Sequence, residues 1–284
     1  INDDKIKVVT TLFPQYDFSK ELLKEHAKIT ILLPPGVEAH SYDPTPKDIV
    51  EINNSDIFIY TGDEMEPWVS KIINNIDTEK VKVIDISKGI ELIEAEENDE
   101  AHGHSHEKDP HFWTNPKIAK KVVSNLSEEF VKLIPEFKED IEINKEDYII
   151  KLEKLDNDIR KDLERVESRT IIYAGHFALG YFAEEYNLEY ITPYDGFSPN
   201  SEPSPKNISN LIEIMNKSKV KSIFYEELID PKVARIISEQ TGANMYLLHG
   251  AHNISKDELD SNVGYIDIMY NNLENLKLGL GYHE

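Results

Sequence analysis

Short β-branched runs alternate with amphipathic stretches along this chain of 284 residues. That alternation is the pattern of an α/β fold with parallel sheets. In the first half the strand candidates are residues 6–12, 29–33, 57–61 and 81–86, with helical stretches at 16–24, 46–53 and 67–76. In the second half the strands fall at 170–174, 190–193, 222–226 and 245–248, and the helices at 178–186, 205–217, 231–241 and 265–278. Four dipeptides, Thr45-Pro46, Asn115-Pro116, Ser204-Pro205 and Asp230-Pro231, place a capping side chain before proline at a first helical position. The two halves are therefore similar in grammar without being a sequence repeat.

Two segments break the alternation. Residues 94–110 are acidic, contain glycine and have no periodicity, so they read as a loop. Residues 135–166 are long and charged, with Phe137, Ile141, Tyr148, Leu152, Leu155, Ile159 and Leu163 at three-, four- and seven-residue steps. That spacing predicts one amphipathic helix. About 30 residues make a helix of roughly 45 Å, a rigid connection between two lobes. The expected domains are an N-terminal lobe over 1–134, the connecting helix over 135–166 and a C-terminal lobe over 167–284.

Charge and composition narrow the function. Fifty-four acidic against 31 basic residues give a net charge of −23. Such a surface repels the phosphates of nucleic acid. With no cysteine, disulfides, thiol nucleophiles and thiolate-bound metals are excluded. No apolar run approaches the roughly 20 residues that span a bilayer. The start, Ile1 to Lys7, runs directly into a strand-like segment without a signal peptide. A cytosolic chain or an exported one whose signal was removed would both begin this way.

Ten histidines carry the candidate chemistry. His102, His104 and His106 form a His-x-His-x-His cluster inside the acidic loop, a composition that suits secondary, weak binding of zinc, copper or nickel, or a solvated spacer. Four more lie in loops. His40 follows the second strand, His111 precedes the helix starting at Pro116, His176 follows the first strand of the second half, and His252 follows the last strand. Open α/β sheets bind ligands beyond the carboxyl ends of their strands. Separations of 71, 65 and 76 residues are too wide for a zinc-finger module and suit a site assembled between two lobes. His26 reads as a solvated residue near a helix end, and His283 as part of a disordered terminus. Glu226 and Glu227 are candidate carboxylates at a strand end, read as hydrogen-bonding at a helix N-terminus. Hydrolase, P-loop and dinucleotide motifs are absent.

Three stretches resemble the metal-ligand motifs of the zinc- and manganese-binding receptors of ABC transporters (cluster A-I, class III). They are Leu32 to Asp48 around His40, Asp109-Pro110-His111-Phe112-Trp113 with Asn115-Pro116, and His176 to Ala183. The resemblance runs from about Lys5 to Leu280 and is nearest to the zinc-specific members. It implies an α/β fold of two Rossmann-like lobes joined by one long rigid helix, with one metal in the interlobe cleft. His40, His111 and His176 are the implied ligands. The fourth position, an acid in many members, matches His252 here, with His249 or water as alternatives. Three or four imidazoles without thiolate favour zinc over manganese, which takes more carboxylate oxygen.

The same resemblance implies a non-enzymatic receptor that delivers Zn²⁺ to an ABC importer permease. It would be a monomer, working as a cell-surface lipoprotein or in the periplasm, with signal and anchor upstream of Ile1. The competing readings are a manganese receptor of the same family, a zinc-dependent hydrolase, a surface adhesin and a soluble metal buffer.

Overall fold

The computed structural model describes residues 5–94, 108–194, 203–218 and 220–283. Eight strands are found among them: β1 (Ile6–Thr10), β2 (Ala27–Ile31), β3 (Ile57–Tyr60), β4 (Lys82–Asp85), β5 (Thr170–Ile172), β6 (Glu189–Ile191), β7 (Ser222–Tyr225) and β8 (Asn244–Leu247). The helices are α1 (Phe13–Leu23), α2 (Pro46–Asn53), α3 (Pro67–Ile72), α4 (Pro116–Leu133), α5 (Lys138–Leu163), α6 (Gly180–Glu185), α7 (Pro205–Ser218), α8 (Lys232–Thr241), α9 (Lys256–Asp260) and α10 (Tyr265–Leu280). Each predicted strand exists, within a few residues of its expected bounds. The fold class is α/β with parallel sheets, as expected.

The chain divides into two compact units, and neither is contiguous. Unit one takes Ile1–Glu91, Pro116–Lys154 and Ala251–Ile266; unit two takes Leu92–Asn115, Leu155–Gly250 and Asp267–Glu284. The residues of α5 are shared, Lys138–Lys154 with the first and Leu155–Leu163 with the second. Its predicted apolar stripe is buried: Ile141, Tyr148, Leu152, Leu155, Ile159 and Leu163 are each at most 4% exposed. Proline starts a separate 3-10 turn at Pro135–Phe137, so the helix begins later than its periodicity suggests.

Unit one holds a four-stranded, wholly parallel sheet in the order β2-β1-β3-β4. Its inner strand β3 reads Ile57-Phe58-Ile59-Tyr60 and is buried throughout. Such an uninterrupted apolar run belongs in a sheet covered on both faces. Val9, Ile52, Phe58, Val69 and Val81 form one cluster between sheet and helices. The start of α2 follows its sequence signal. Thr45 accepts the Asp48 N–H, and Asp48 Oδ2 accepts the Thr45 N–H at 2.7 Å, a reciprocal cap.

Strand order reverses between β1 and β3, and the loops there are filled by a polar network. The Gln15 amide donates to Thr61 Oγ1 at 2.5 Å and Thr11 Oγ1 at 3.1 Å, while its carbonyl accepts the Leu12 N–H at 2.6 Å. Glu66, 2% exposed, accepts the Thr61 N–H at 2.5 Å. Burial pushes the Glu66 carboxyl up to about 7, against the lowering effect of these donors. Asp17, at the α1 side, accepts from Tyr148 OH at 3.1 Å and the Tyr265 N–H at 3.0 Å; burial raises it to about 6.

Unit two has two parallel pairs, β5-β6 and β7-β8. A single bridge, Tyr173 to Phe224, joins them, supported by the Ala174 N–H donating to Phe224 O at 2.8 Å. The resulting order, second-first-third-fourth, repeats that of unit one. Ile172, Leu211, Met215, Ile223, Ala234 and Ile237 pack into its core cluster.

Some local expectations are corrected. Asp230 does not cap α8: that helix starts one residue later with Pro231 at its N-cap and no side-chain cap, and Asp230 pairs with Arg235 instead. Helix α9 escaped the periodicity because it spans five residues, yet Ser255 and Glu258 form a capping box that announces it. The His283 N–H donates to Arg165 O at 3.0 Å, and its ring Nε2 lies 2.8 Å from Glu167 Oε1. His26 stacks on Phe137 with centroids 4.1 Å apart, and its Nε2 lies 2.9 Å from Asp140 Oδ2.

Candidate metal centre

In unit one, His40 sits in the loop from β2 to α2. Glu38, two residues earlier, holds that loop: Oε1 accepts the His40 N–H at 2.7 Å and Oε2 the Ser41 N–H at 2.9 Å. The incoming segment Ala251 to Ile254 braces the same loop. Asn253 Nδ2 donates to Pro34 O at 2.7 Å and Val37 O at 2.9 Å, and the Gly36 N–H donates to Ile254 O at 2.9 Å. His252, 9% exposed, is anchored by its carbonyl, which accepts the Phe13 N–H at 3.0 Å. The His40 and His252 rings meet edge to face with centroids 5.2 Å apart.

In unit two, His111 is fully buried. Asp109 Oδ1 accepts both its backbone N–H at 2.9 Å and its ring Nδ1–H at 2.6 Å. A carboxylate on Nδ1 selects the tautomer that leaves Nε2 as the metal-binding nitrogen. Asp109 is itself fixed: Tyr181 OH donates to its carbonyl at 2.7 Å, and its N–H donates to Ile93 O at 3.0 Å. After His111, the chain turns into the 3-10 segment Phe112–Thr114, where Trp113 Nε1 donates to Gly250 O at 2.9 Å.

His176, 2% exposed, follows β5, and its N–H donates to Glu226 Oε1 at 3.1 Å. Its ring lies edge to face with His111, centroids 4.9 Å apart. Glu226 and its neighbour therefore bind loop amides rather than a helix N-terminus, correcting the expectation for both. Glu227 Oε2 accepts the Gly250 N–H at 2.8 Å, and its Oε1 lies 3.6 Å from His249 Nδ1.

The predicted ligand residues fall in two close pairs, His40 with His252 in unit one and His111 with His176 in unit two. His249 is not among them. Its backbone is clamped by Asn272, which accepts the His249 N–H at 2.7 Å and donates to its carbonyl at 2.8 Å. His102, His104 and His106 lie outside the described residues. Sequence reading overlooked Glu38 and Asp109, although both stand two residues before a histidine, in Glu38-Ala39-His40 and Asp109-Pro110-His111. Neutral imidazoles with no sulfur are borderline donors that suit zinc.

Parallel α/β units that each carry a close pair of histidines have the donor chemistry of a metal-binding protein. The profile of ZnuA, described as zinc-uptake complex component A, periplasmic, matches residues 8–279, and the chain belongs to that family. It is 39% identical over 280 residues to the high-affinity zinc uptake system protein ZnuA of Bacillus subtilis, covering 96% of this chain and 87% of that protein. It is 32% identical to the zinc-binding lipoprotein AdcA of Streptococcus pneumoniae, over 97% of this chain but 56% of AdcA. The chain thus spans little more than half the length of that relative. The crystal structure of the Zn(II)-bound ZnuA-like domain of S. pneumoniae AdcA superposes with a TM-score of 0.83 at 30% identity, covering 97% of this chain and 99% of that one. No helix among the described residues is long and apolar enough to cross a membrane.

Proposed function

We propose that this protein is an extracytoplasmic zinc receptor that binds one Zn²⁺ through His40, His111, His176 and His252 and hands it to the permease of an ABC importer. It acts as a binding protein without catalysis, and is held at the outer surface of the cell as a lipoprotein. The observation that carries the reading is the close imidazole pair in each unit, His40 with His252 and His111 with His176. Neutral imidazoles at 2.0–2.1 Å are ordinary zinc ligands, and a set of four fills the tetrahedron that zinc prefers. A filled tetrahedron also leaves no open position for an activated water, which separates a receptor from a zinc hydrolase. The His-rich segment around His102, His104 and His106 adds weak, secondary binding.

The test is metal analysis of the purified protein after dialysis against a mild chelator, followed by competition between zinc and manganese. One zinc per chain, retained against excess manganese and lost in His111→Ala, is the expected result. Retention of manganese in preference to zinc would overturn the choice of metal. Retention of zinc by the His111→Ala variant at full strength would move the site elsewhere.

A further inference from the structure

We propose that Glu38, Asp109 and Glu226 are positioning residues of this metal site, each clamping one histidine by accepting that residue's own backbone N–H. The inference rests on the zinc-receptor reading and concerns how its ligands are held. Loop amides commonly satisfy themselves with carbonyls or water. Here His40, His111 and His176, on three unrelated loops, each donate to a carboxylate, at 2.7, 2.9 and 3.1 Å. A carboxylate gripping a backbone N–H makes a charge-assisted bond, shorter and stronger than a neutral one. It also brings negative charge behind an imidazole that is itself neutral, so the three acids complement the +2 charge of an incoming ion.

Two glycines support the inference independently. A Cβ on Gly175 would stand 2.7 Å from Glu226 Oε1, and a Cβ on Gly180 would stand 2.7 Å from Asp109 Oδ2. Neither glycine has the left-handed backbone that would otherwise explain it. Their missing side chains make room for the two carboxylates. Asp109 is the strongest member, being fully buried and bound to both the N–H and the ring of His111.

The experiment follows release of Zn²⁺ to a chromogenic chelator from the full chain and its Asp109→Asn, Asp109→Ala, Glu38→Ala, Glu226→Gln and Gly180→Ala variants. Visible spectra of the Co²⁺-loaded proteins are recorded alongside. Losing an outer-sphere partner of a metal ligand costs about 10- to 100-fold in metal affinity. Asp109→Ala is expected at the upper end, with an altered Co²⁺ spectrum. Asp109→Asn keeps the accepting oxygen and loses the charge, so it should recover part of the loss. Gly180→Ala should speed release without touching a ligand. Glu38 lies in a half-exposed loop, so Glu38→Ala reports on the clamp even where a buried variant fails to fold.

Release rates and Co²⁺ spectra unchanged in all five variants, with His111→Ala still losing zinc, would overturn the clamp and leave the receptor intact. A parent that holds zinc no better than His111→Ala would overturn both. Equal losses for Asp109→Asn and Asp109→Ala would show that charge alone acts, and would overturn the geometric clamp.

Discussion

The two units share a strand order and differ in how firmly it is built. In unit one, β1 pairs with β3 over three residues, Val8 with Ile57, Val9 with Phe58 and Thr10 with Ile59, and the sheet is continuous. In unit two the equivalent junction is the single Tyr173–Phe224 bridge. Strand β5 ends at Ile172, Tyr173 and Ala174 keep only the contact with Phe224, and the chain then turns to carry His176. The looser sheet is thus found where a strand is spent on a ligand loop, while in unit one His40 leaves from the edge strand β2 and the central pairing stays whole.

The units also differ in how they acquire their histidines. Each has one from its own strand, His40 after β2 and His176 after β5. Each takes its other from chain that has just left the opposite unit, His252 after β8 and His111 beyond β4. Neither pair is built by one contiguous stretch, so contiguous lobes at 1–134 and 167–284 pair the histidines differently from the units.

The largest expected contrast lies between members of the two pairs. His111 is fully buried and held by Asp109, whereas His252 is 9% exposed and held through its backbone carbonyl. We expect His111→Ala to weaken zinc binding by about a thousandfold, roughly 4 kcal/mol. His252→Ala should cost several-fold less, since water can enter the more open corner. Chelator competition measures both, and equal losses would erase the asymmetry between the pairs.

A smaller difference concerns pH. Asp17 and Glu66 both belong to unit one, and burial raises them to about 6 and about 7. Their folded values exceed the unfolded ones, so the folded unit binds more protons between those limits. Their contribution to stability is therefore greatest in acid and falls as pH rises from about 4 through about 7. For Glu66 the change is about 3 kcal/mol. Relative to the parent, Glu66→Gln should gain stability by about that much between pH 4 and pH 8. Hydrogen exchange at the β1 and β3 amides of the metal-free protein reads it, and a pH-independent difference would sink the argument.

The smallest contrast tests two proline-marked helix starts. Thr45→Ala removes a working cap and should cost about 1 kcal/mol. Asp230→Ala removes no cap, only an exposed pairing with Arg235, and should cost less than about 0.5 kcal/mol. Thermal melts of the two variants decide it; equal losses would mean that Asp230 caps α8 after all.

Much of this was legible from the chain alone. Hydrophobic periodicity is a local property, so it located the eight strands and the stripe of α5, and the Thr45-Pro46 dipeptide marked Thr45 as a cap. Motifs around His40, His111 and His176 named their residues, and His252 followed from its place after the last strand. Other features were illegible because they depend on what lies nearby in space. Asp230 had the same local signal as Thr45, but the helix began one residue later and left it beside Arg235. Glu226 looked like a helix-terminal acid until the chain brought the His176 amide to it.

By itself, then, the sequence determined the elements, the donor chemistry and the exclusion of sulfur, since these depend on residue type and spacing. Tertiary structure decided which histidines share a unit, which acids grip them and why Gly175 and Gly180 carry no side chain. Glu38 and Asp109 grip histidines two residues away, but Glu226 reaches the His176 amide at 3.1 Å from 50 residues along the chain. No local pattern encodes such a distance; it exists only once the chain has packed.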